Sequence, residues 1–112
     1  MATITFEDFD KVDIRSGTIV RAEPFERARK PAYKIWVDFG PDLGIKQSSA
    51  QITVHYTTEA LVGRQVAGVV NLGTKNIAGF ESQFLVLGFS DEKGAISLIA
   101  PHPQVPNGQK LH

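Results

Sequence analysis

The clearest alternation of apolar and polar residues in the chain runs from Tyr33 to Phe39. Its odd-numbered positions are apolar or aromatic, and its even-numbered positions are Lys34, Trp36 and Asp38. A period of two predicts a strand with one face in a core. Trp36 falls on the polar face, where we expect it to serve as a platform for a ligand or to be covered by a partner subunit or the C-terminal tail.

Two further segments flank this strand and extend the pattern. Before it, Val12–Ala22 reads as a long first strand whose apolar positions change phase partway, and we expect a bulge or a sharp bend at Gly17 that lets the strand serve two sheets. After it, a glycine-proline turn leads into a third strand, Ile45–Ile52, whose centre is polar. At least one of the hydroxyls of Ser48 and Ser49 must face outward or into a polar pocket, because they cannot both face a dry core.

The second half of the chain predicts a short helix and more strands. Thr57 is a suitable N-cap and Gly63 a suitable stop for a helix within 53–63. Further strands are predicted at 64–71, 82–89 and 95–100, with a loop at 72–79. Five strands with a short helix between the third and fourth follow the order of an OB-fold. We therefore predict an all-β fold, a five-stranded OB-fold barrel with additional N- and C-terminal segments.

Apolar residues beyond the needs of one small barrel lie near both ends of the chain. A predicted helical turn at 5–10 carries Phe6 and Phe9 on one face, which we expect to plug a barrel end. The run 82–89 is apolar almost throughout, which indicates burial on both faces. The tail has three prolines within six residues and should lie extended over a surface. We predict one domain over residues 1–112, with about 82–112 contributing to a homodimer interface.

The charges are balanced overall but unevenly distributed. Twelve basic and 12 acidic residues give no net charge, which argues against a strongly basic nucleic-acid binder. Residues 27–80 carry seven basic and three acidic groups, whereas residues 1–26 carry a net −3 and residues 81–112 a net −1. This asymmetry fits one basic surface on a neutral protein, and chance scatter of solvated charges fits it about as well.

Sequence patterns of catalysis and metal binding are absent. The chain has no cysteine, and its three histidines show no metal-ligand spacing. It contains no nucleophile elbow, zinc-protease or phosphate-loop motif. No apolar run reaches the roughly 20 residues of a membrane span, and the N-terminus lacks a signal-peptide pattern. We therefore expect a cytoplasmic, non-catalytic protein with no cofactor, no metal and no membrane insertion.

Candidate ligand contacts cluster on the predicted second and third strands, on the basic loop before them and in the acid-free stretch 60–80. Cationic, aromatic and short polar side chains suit contacts to phosphate, sugar or peptide backbone. A solvated surface is the plainer alternative. The predicted ligand-binding residues, for peptide or RNA, are Arg27, Arg29, Lys30, Tyr33, Lys34, Trp36, Lys46, Ser48, Ser49, Gln51, Asn71, Lys75, Phe80 and Ser82.

Several blocks of the sequence resemble one known family. The most specific are ARKPAYKIWVDFG at 28–40 and GIKQSSAQIT at 44–53, with shorter matches at 13–19, 61–66, 69–71, 77–80, 85–88 and 105–108. On these residues, nearly the whole chain resembles the CsaA family of export-related chaperones. More distantly, residues 13–19, 37–40, 70–72 and 79–82 resemble the tRNA-binding domain appended to methionyl-tRNA synthetases.

The resemblance implies a homodimeric OB-fold protein that binds unfolded polypeptide or preprotein segments in connection with protein export. It also implies an alternative, a tRNA- or RNA-binding module that uses the basic face. Both ligands could share the face of the second and third strands, which is the usual nucleic-acid surface of an OB-fold. Docking of an acidic protein on the basic face is a third alternative.

Overall fold

A five-stranded, nearly closed barrel sheet forms the centre of the computed structural model, which describes residues 1–112. Its elements, in chain order, are α1 (Phe6–Asp10), β1 (Ile14–Pro24), β2 (Tyr33–Asp38), β3 (Ile45–Ala50), α2 (Thr58–Leu61), β4 (Gln65–Val69), β5 (Lys75–Ile77), β6 (Phe80–Ser82), β7 (Leu85–Val86), β8 (Gly88–Ser90) and β9 (Ile96–Leu98). The barrel strands lie in the order β3-β2-β1-β4-β7, and β5–β6 and β8–β9 form two hairpins. The predicted all-β OB-fold barrel, with a short helix between the third and fourth strands, is confirmed.

Strand β1 pairs with two neighbours along its length. Its residues 14–18 pair with β4, and its residues 18–24 pair with β2. Of the two alternatives for Gly17, the bulge is wrong, because the register shifts between Ile19 and Arg21 and therefore at Val20, whereas the bend stays a prediction and the change of partner strand occurs at the next residue, Thr18. Gly17 is instead a point of close approach, since a Cβ there would lie 2.5 Å from Cγ1 of Val37.

The alternation predicted for β2 is confirmed and fills the barrel interior. Ile35 and Val37 are fully buried, whereas Lys34 and Trp36 lie on the outer side and are only partly buried. Each fully buried side chain of this size contributes about 1.5–3 kcal/mol through the hydrophobic effect. The rest of the core cluster is Ile19, Phe39, Ala50, Ile52, Leu61, Val66 and Phe84.

The single fifth strand predicted at 82–89 is wrong, and so is the uninterrupted loop at 72–79. Residues 80–90 form three short strands, and β5 lies within the predicted loop. Within the single chain one face of the run stays open, because Leu85 is 50% exposed and Phe89 is 73% exposed, so cover of this face by a partner stays a prediction. The run is interrupted at Leu87, between β7 and β8, and Gly88 then pairs with Leu98 of β9 so closely that a Cβ would lie 2.6 Å from the carbonyl oxygen of Ser97. The chain therefore leaves the barrel there and forms the second hairpin.

Helix α1 does not plug the barrel as predicted. Thr5 and Asp8 form the expected capping box, but no residue of the helix is buried and Phe6 is 74% exposed. One turn of helix is too short to reach from its own cap into the barrel. Neither helix, at five and four residues, has the length or apolar content to cross a membrane.

The C-terminal tail lies extended over β1 and β4 and turns at Asn107–Gly108, as predicted. The side-chain amide of Gln65 donates to the carbonyl oxygen of Val105 at 2.6 Å and accepts from its N–H at 3.1 Å. These hydrogen bonds hold the tail beside β4. The side chains that contact the Trp36 ring are those of Arg21 and Phe80, and none of them belongs to the tail. Cover of Trp36 by the tail is therefore wrong.

Candidate functional site

Five side chains from β1, the loop after it, β2 and β6 gather on one side of the barrel, and we call them the cation–aromatic face: Arg21, Phe25, Lys34, Trp36 and Phe80, of which Phe25 is buried. Arg21 lies opposite Trp36 in the β1–β2 register, and its Cζ is 4.4 Å from the ring centroid. Nζ of Lys34 lies 5.0 Å from the ring centroids of both Phe25 and Phe80. Phe80 contacts Trp36 edge-on at 6.0 Å and Phe25 at 5.5 Å. Cations and aromatic rings therefore alternate across this face.

The two cations of this face differ in their electrostatic state. Nη2 of Arg21 lies 2.6 Å from Oε2 of Glu23, so its charge is partly compensated within β1. Lys34 forms no ion pair with any acid of the chain. Its ammonium, held between two aromatic rings, is therefore the cation of this face that remains uncompensated.

A second candidate site is an apolar cavity of about 950 Å³ beside the loop that precedes β2. Ten of its 15 lining residues are hydrophobic, and they come from segments 28–32, 49–52, 77–78 and 85–88 and from Ile96. The charged lining residues are Arg29 and Lys30, and no acid lines the cavity. Both cations are exposed and without an ion pair. The cavity has the size and apolar character of a ligand site.

The structure brings together half of the residues predicted to bind ligand. Lys34, Trp36 and Phe80 belong to the cation–aromatic face, and Arg29, Lys30, Ser49 and Gln51 line the cavity. Arg27 and Lys75 are exposed nearby in sequence, on the 25–32 loop and on β5. Contact of these residues with a ligand stays a prediction. No three His, Asp or Glu side chains form a group that could hold a metal ion.

Other predicted residues are engaged within the barrel. The hydroxyl of Ser48 lies 2.8 Å from that of Ser82 and 2.7 Å from the carbonyl oxygen of Phe84, and both serines are buried. Their hydrogen bonds fasten β3 to the β5–β6 hairpin and help close the barrel. Lys46 lies opposite the inward-facing Val37 and is partly buried.

Tyr33 and Asn71 also make structural contacts. The hydroxyl of Tyr33 donates to the carbonyl oxygen of Tyr56 at 2.8 Å, which fixes the loop before α2. The side-chain amide of Asn71 donates to the carbonyl oxygen of Lys11 at 2.7 Å and therefore holds the N-terminal segment.

Sequence reasoning missed Arg21 and Phe25 of the cation–aromatic face. The signal for Phe25 was present, because it is an aromatic residue two positions before the basic run 27–30. Arg21 carried no such signal, because only the bulge at Val20 places it opposite Trp36. Most of the cavity wall was missed too, since its segments are far apart in the sequence.

Residues 14–110 match the family described as "Putative tRNA binding domain". Among curated proteins, the chain is 38% identical over 108 residues to a methionine–tRNA ligase of Chlorobium chlorochromatii. That alignment covers 96% of this chain but only 15% of the ligase, so the chain spans a small part of such relatives.

Two solved structures match the chain over its whole length. The chaperone CsaA of Bacillus anthracis is 49% identical, with 99% of this chain and 100% of that chain covered and a TM-score of 0.93. The CsaA chaperone protein of Picrophilus torridus is 42% identical, with 98% and 100% covered and a TM-score of 0.92. The resemblance read from the sequence blocks is confirmed by these matches.

Proposed function

Because the chain belongs to the tRNA-binding domain family, we propose that it binds tRNA through the cation–aromatic face and the neighbouring 25–32 loop. The observation that carries the proposal is the position of Lys34, 5.0 Å from the rings of Phe25 and Phe80. Surfaces that bind nucleic acid strands combine a cationic path for phosphates with aromatic rings on which bases stack. Trp36 and Phe80 are the partly exposed rings of the face, whereas Phe25 is buried, and each base stacked on such a ring is worth about 1–3 kcal/mol.

The proposal is tested by titrating fluorescein-labelled tRNA with the protein and following anisotropy at 0.1 M salt. Lys34→Gln removes one phosphate contact. Each such contact lowers log affinity by ~0.7–0.9 for each tenfold rise in salt, and it is therefore worth about fivefold in affinity at 0.1 M salt relative to 1 M. The variant should bind tRNA about fivefold more weakly than the unmodified protein. Lys93→Gln is the matched control, because Lys93 lies in the exposed turn between β8 and β9. Equal affinities for the two variants would contradict the proposed face.

The apolar cavity supports a second candidate function, the binding of unfolded polypeptide. Its hydrophobic wall suits apolar side chains, and β5 pairs only with β6, so its other edge offers unpaired backbone groups beside Ile77 of the cavity. Two of the structures that match over their whole length are named as chaperones, and a third is named as a MetRS related protein of Pyrococcus horikoshii. Binding of preprotein segments during export stays a prediction from the family resemblance.

Polypeptide binding is tested with a labelled, blocked and uncharged nonapeptide rich in Leu and Phe. Leu85 lines the cavity and is 50% exposed, so Leu85→Gln should lower peptide affinity by about tenfold, the cost of one polar group in an apolar contact of ~1–3 kcal/mol. Leu72 is 65% exposed and lies outside the cavity, which makes Leu72→Gln the matched control. If the peptide affinity is the same for both variants as for the unmodified protein, the peptide does not bind in this cavity.

We also propose that residues 82–112 contribute to a homodimer. The supporting observation is the large exposed apolar side chain of Phe89, 73% exposed on β8. Sedimentation equilibrium at micromolar concentration should give twice the chain mass of 12.3 kDa, and Phe89→Ser should shift the equilibrium toward monomer. A monomeric mass for the unmodified chain would refute the proposal.

A further inference from the structure

The two candidate sites are built by the same two elements. The 25–32 loop places Phe25 in the cation–aromatic face and its residues 28–30 in the cavity wall. The β5–β6 hairpin places Phe80 in the face and its tip, Ile77 and Ala78, in the cavity wall. A movement of either element therefore changes both sites.

The loop and the hairpin tip are joined by an aromatic contact. Phe25 is 4% exposed and meets the ring of Phe80 edge-on at 5.5 Å, with the ammonium of Lys34 over both rings. The loop closes on itself, through the N–H of Phe25 donating to the carbonyl oxygen of Ala32 at 3.0 Å. No hydrogen bond runs between the loop and residues 75–82. The two elements can therefore separate without breaking a backbone ladder.

The hairpin tip carries backbone strain where it faces the cavity. Ala78 has a φ of 49°, a conformation that L-residues other than glycine and asparagine rarely adopt. Only the next residue, Gly79, is relieved of this cost by its lack of a side chain, and its N–H donates to Oδ1 of Asn76 at 3.0 Å. Both residues of this two-residue turn have positive φ, as a type I′ hairpin turn requires, so the alanine makes the tip less stable without disturbing the pairing of β5 with β6.

We propose that the cavity and the cation–aromatic face are antagonistically coupled, so that each ligand weakens the binding of the other. A peptide that enters the cavity parts the 25–32 loop from the hairpin tip. This separates Phe25 from Phe80, and Lys34 then loses the two rings that hold its ammonium in place. The inference rests on the proposed binding of tRNA and polypeptide to these two sites, and it adds their mutual regulation.

The test measures the affinity for fluorescein-labelled tRNA at increasing concentrations of the uncharged nonapeptide. Because the peptide carries no charge, it does not compete for cations. The tRNA affinity should fall at least fivefold and then reach a plateau, since a coupling free energy between two separate sites has a finite value. By linkage, saturating tRNA should weaken peptide binding by the same factor. A fall without a plateau means that the two ligands overlap sterically, and it would overturn the inference.

Phe25→Leu isolates the connection between the sites. The smaller side chain keeps the loop apolar but loses the edge contact with Phe80. The coupling factor, by which saturating peptide weakens tRNA binding, should therefore fall below twofold. Each ligand is first titrated alone, so a change in its own affinity is separated from the coupling. Phe6→Leu, at an exposed position on α1, should leave the factor unchanged.

Outcomes for the proposed function and for the coupling are distinct. If tRNA binds with the same affinity at every peptide concentration while both ligands bind, the coupling is refuted and both binding functions stand. If either ligand does not bind at all, the corresponding function is refuted and the coupling falls with it.

Discussion

Removal of two of the three unpaired cations of the 25–32 loop should weaken tRNA binding in a way that depends steeply on salt. Arg29 and Lys30 are exposed and form no ion pair, so both are available for phosphate. Each phosphate contact contributes about −0.7 to −0.9 to the slope of log affinity against log salt. With about four contacts in all, the slope of roughly −3 should rise to about −1.4 in Arg29→Gln/Lys30→Gln.

The same numbers give the loss of affinity. Each contact contributes about fivefold at 0.1 M salt relative to 1 M, so two contacts correspond to about 25-fold. Anisotropy titrations of labelled tRNA from about 0.05 to 0.3 M salt measure both quantities, and circular dichroism checks the fold of the variants.

A charge-matched control separates a local site from an effect of net charge. Lys11→Gln/Lys93→Gln also removes two positive charges, but from positions outside the proposed face. Lys11 pairs with Asp8 at 3.6 Å, and Lys93 lies in an exposed turn. The control slope should match that of the unmodified protein. If both double variants lose the same slope, or if the loop variant loses none, the loop does not contact phosphate.

Three further predictions concern stability. Gly17→Ala should lower the free energy of unfolding by about 2 kcal/mol in urea denaturation, because its Cβ has no room; an unchanged midpoint would contradict the close approach. Gln65→Leu should lower the free energy of unfolding by about 2–3 kcal/mol and speed proteolysis of the tail, because Val105 loses both hydrogen bonds to that side chain. An unchanged rate of proteolysis would show that these bonds do not hold the tail. A hydrogen bond from His55, followed by backbone N–H groups, lowers the pKa of Asp91, so the ionised carboxylate stabilises the fold. That stability is present above the ordinary Asp pKa of about 4 and is lost as pH falls through the lowered pKa. Asp91→Asn should therefore show a shallower loss of the urea midpoint as pH falls below about 4, and parallel curves for the two proteins would refute the linkage.

The barrel could be predicted from the sequence where a strand has one buried and one solvated face. Lys34 and Trp36 were placed outside by alternation alone, and Thr57 and Gly63 bounded the helix that separates the third and fourth strands. In these segments the physical signal is local, because the side chains that decide the structure lie within a few residues of each other.

Other features depend on contacts that no local pattern records. Gly17 fits both a bulge and a close approach, and only the position of Val37 across the barrel decides between them. The apolar run 82–89 reads as one strand because nothing in it shows that pairing stops at Leu87 or that Gly88 pairs closely with β9. The cavity is assembled from four segments and Ile96, so its apolar residues looked like ordinary strand positions.

The position of Trp36 in the cation–aromatic face gives the most direct test of tRNA binding there. It is the single tryptophan of the chain, so its fluorescence reports on this face alone. Emission from Trp36 should change saturably as tRNA is added, with the same midpoint as the anisotropy of labelled tRNA. If tRNA binds by anisotropy while the emission stays constant, the ligand binds elsewhere on the barrel, and the proposed face is wrong.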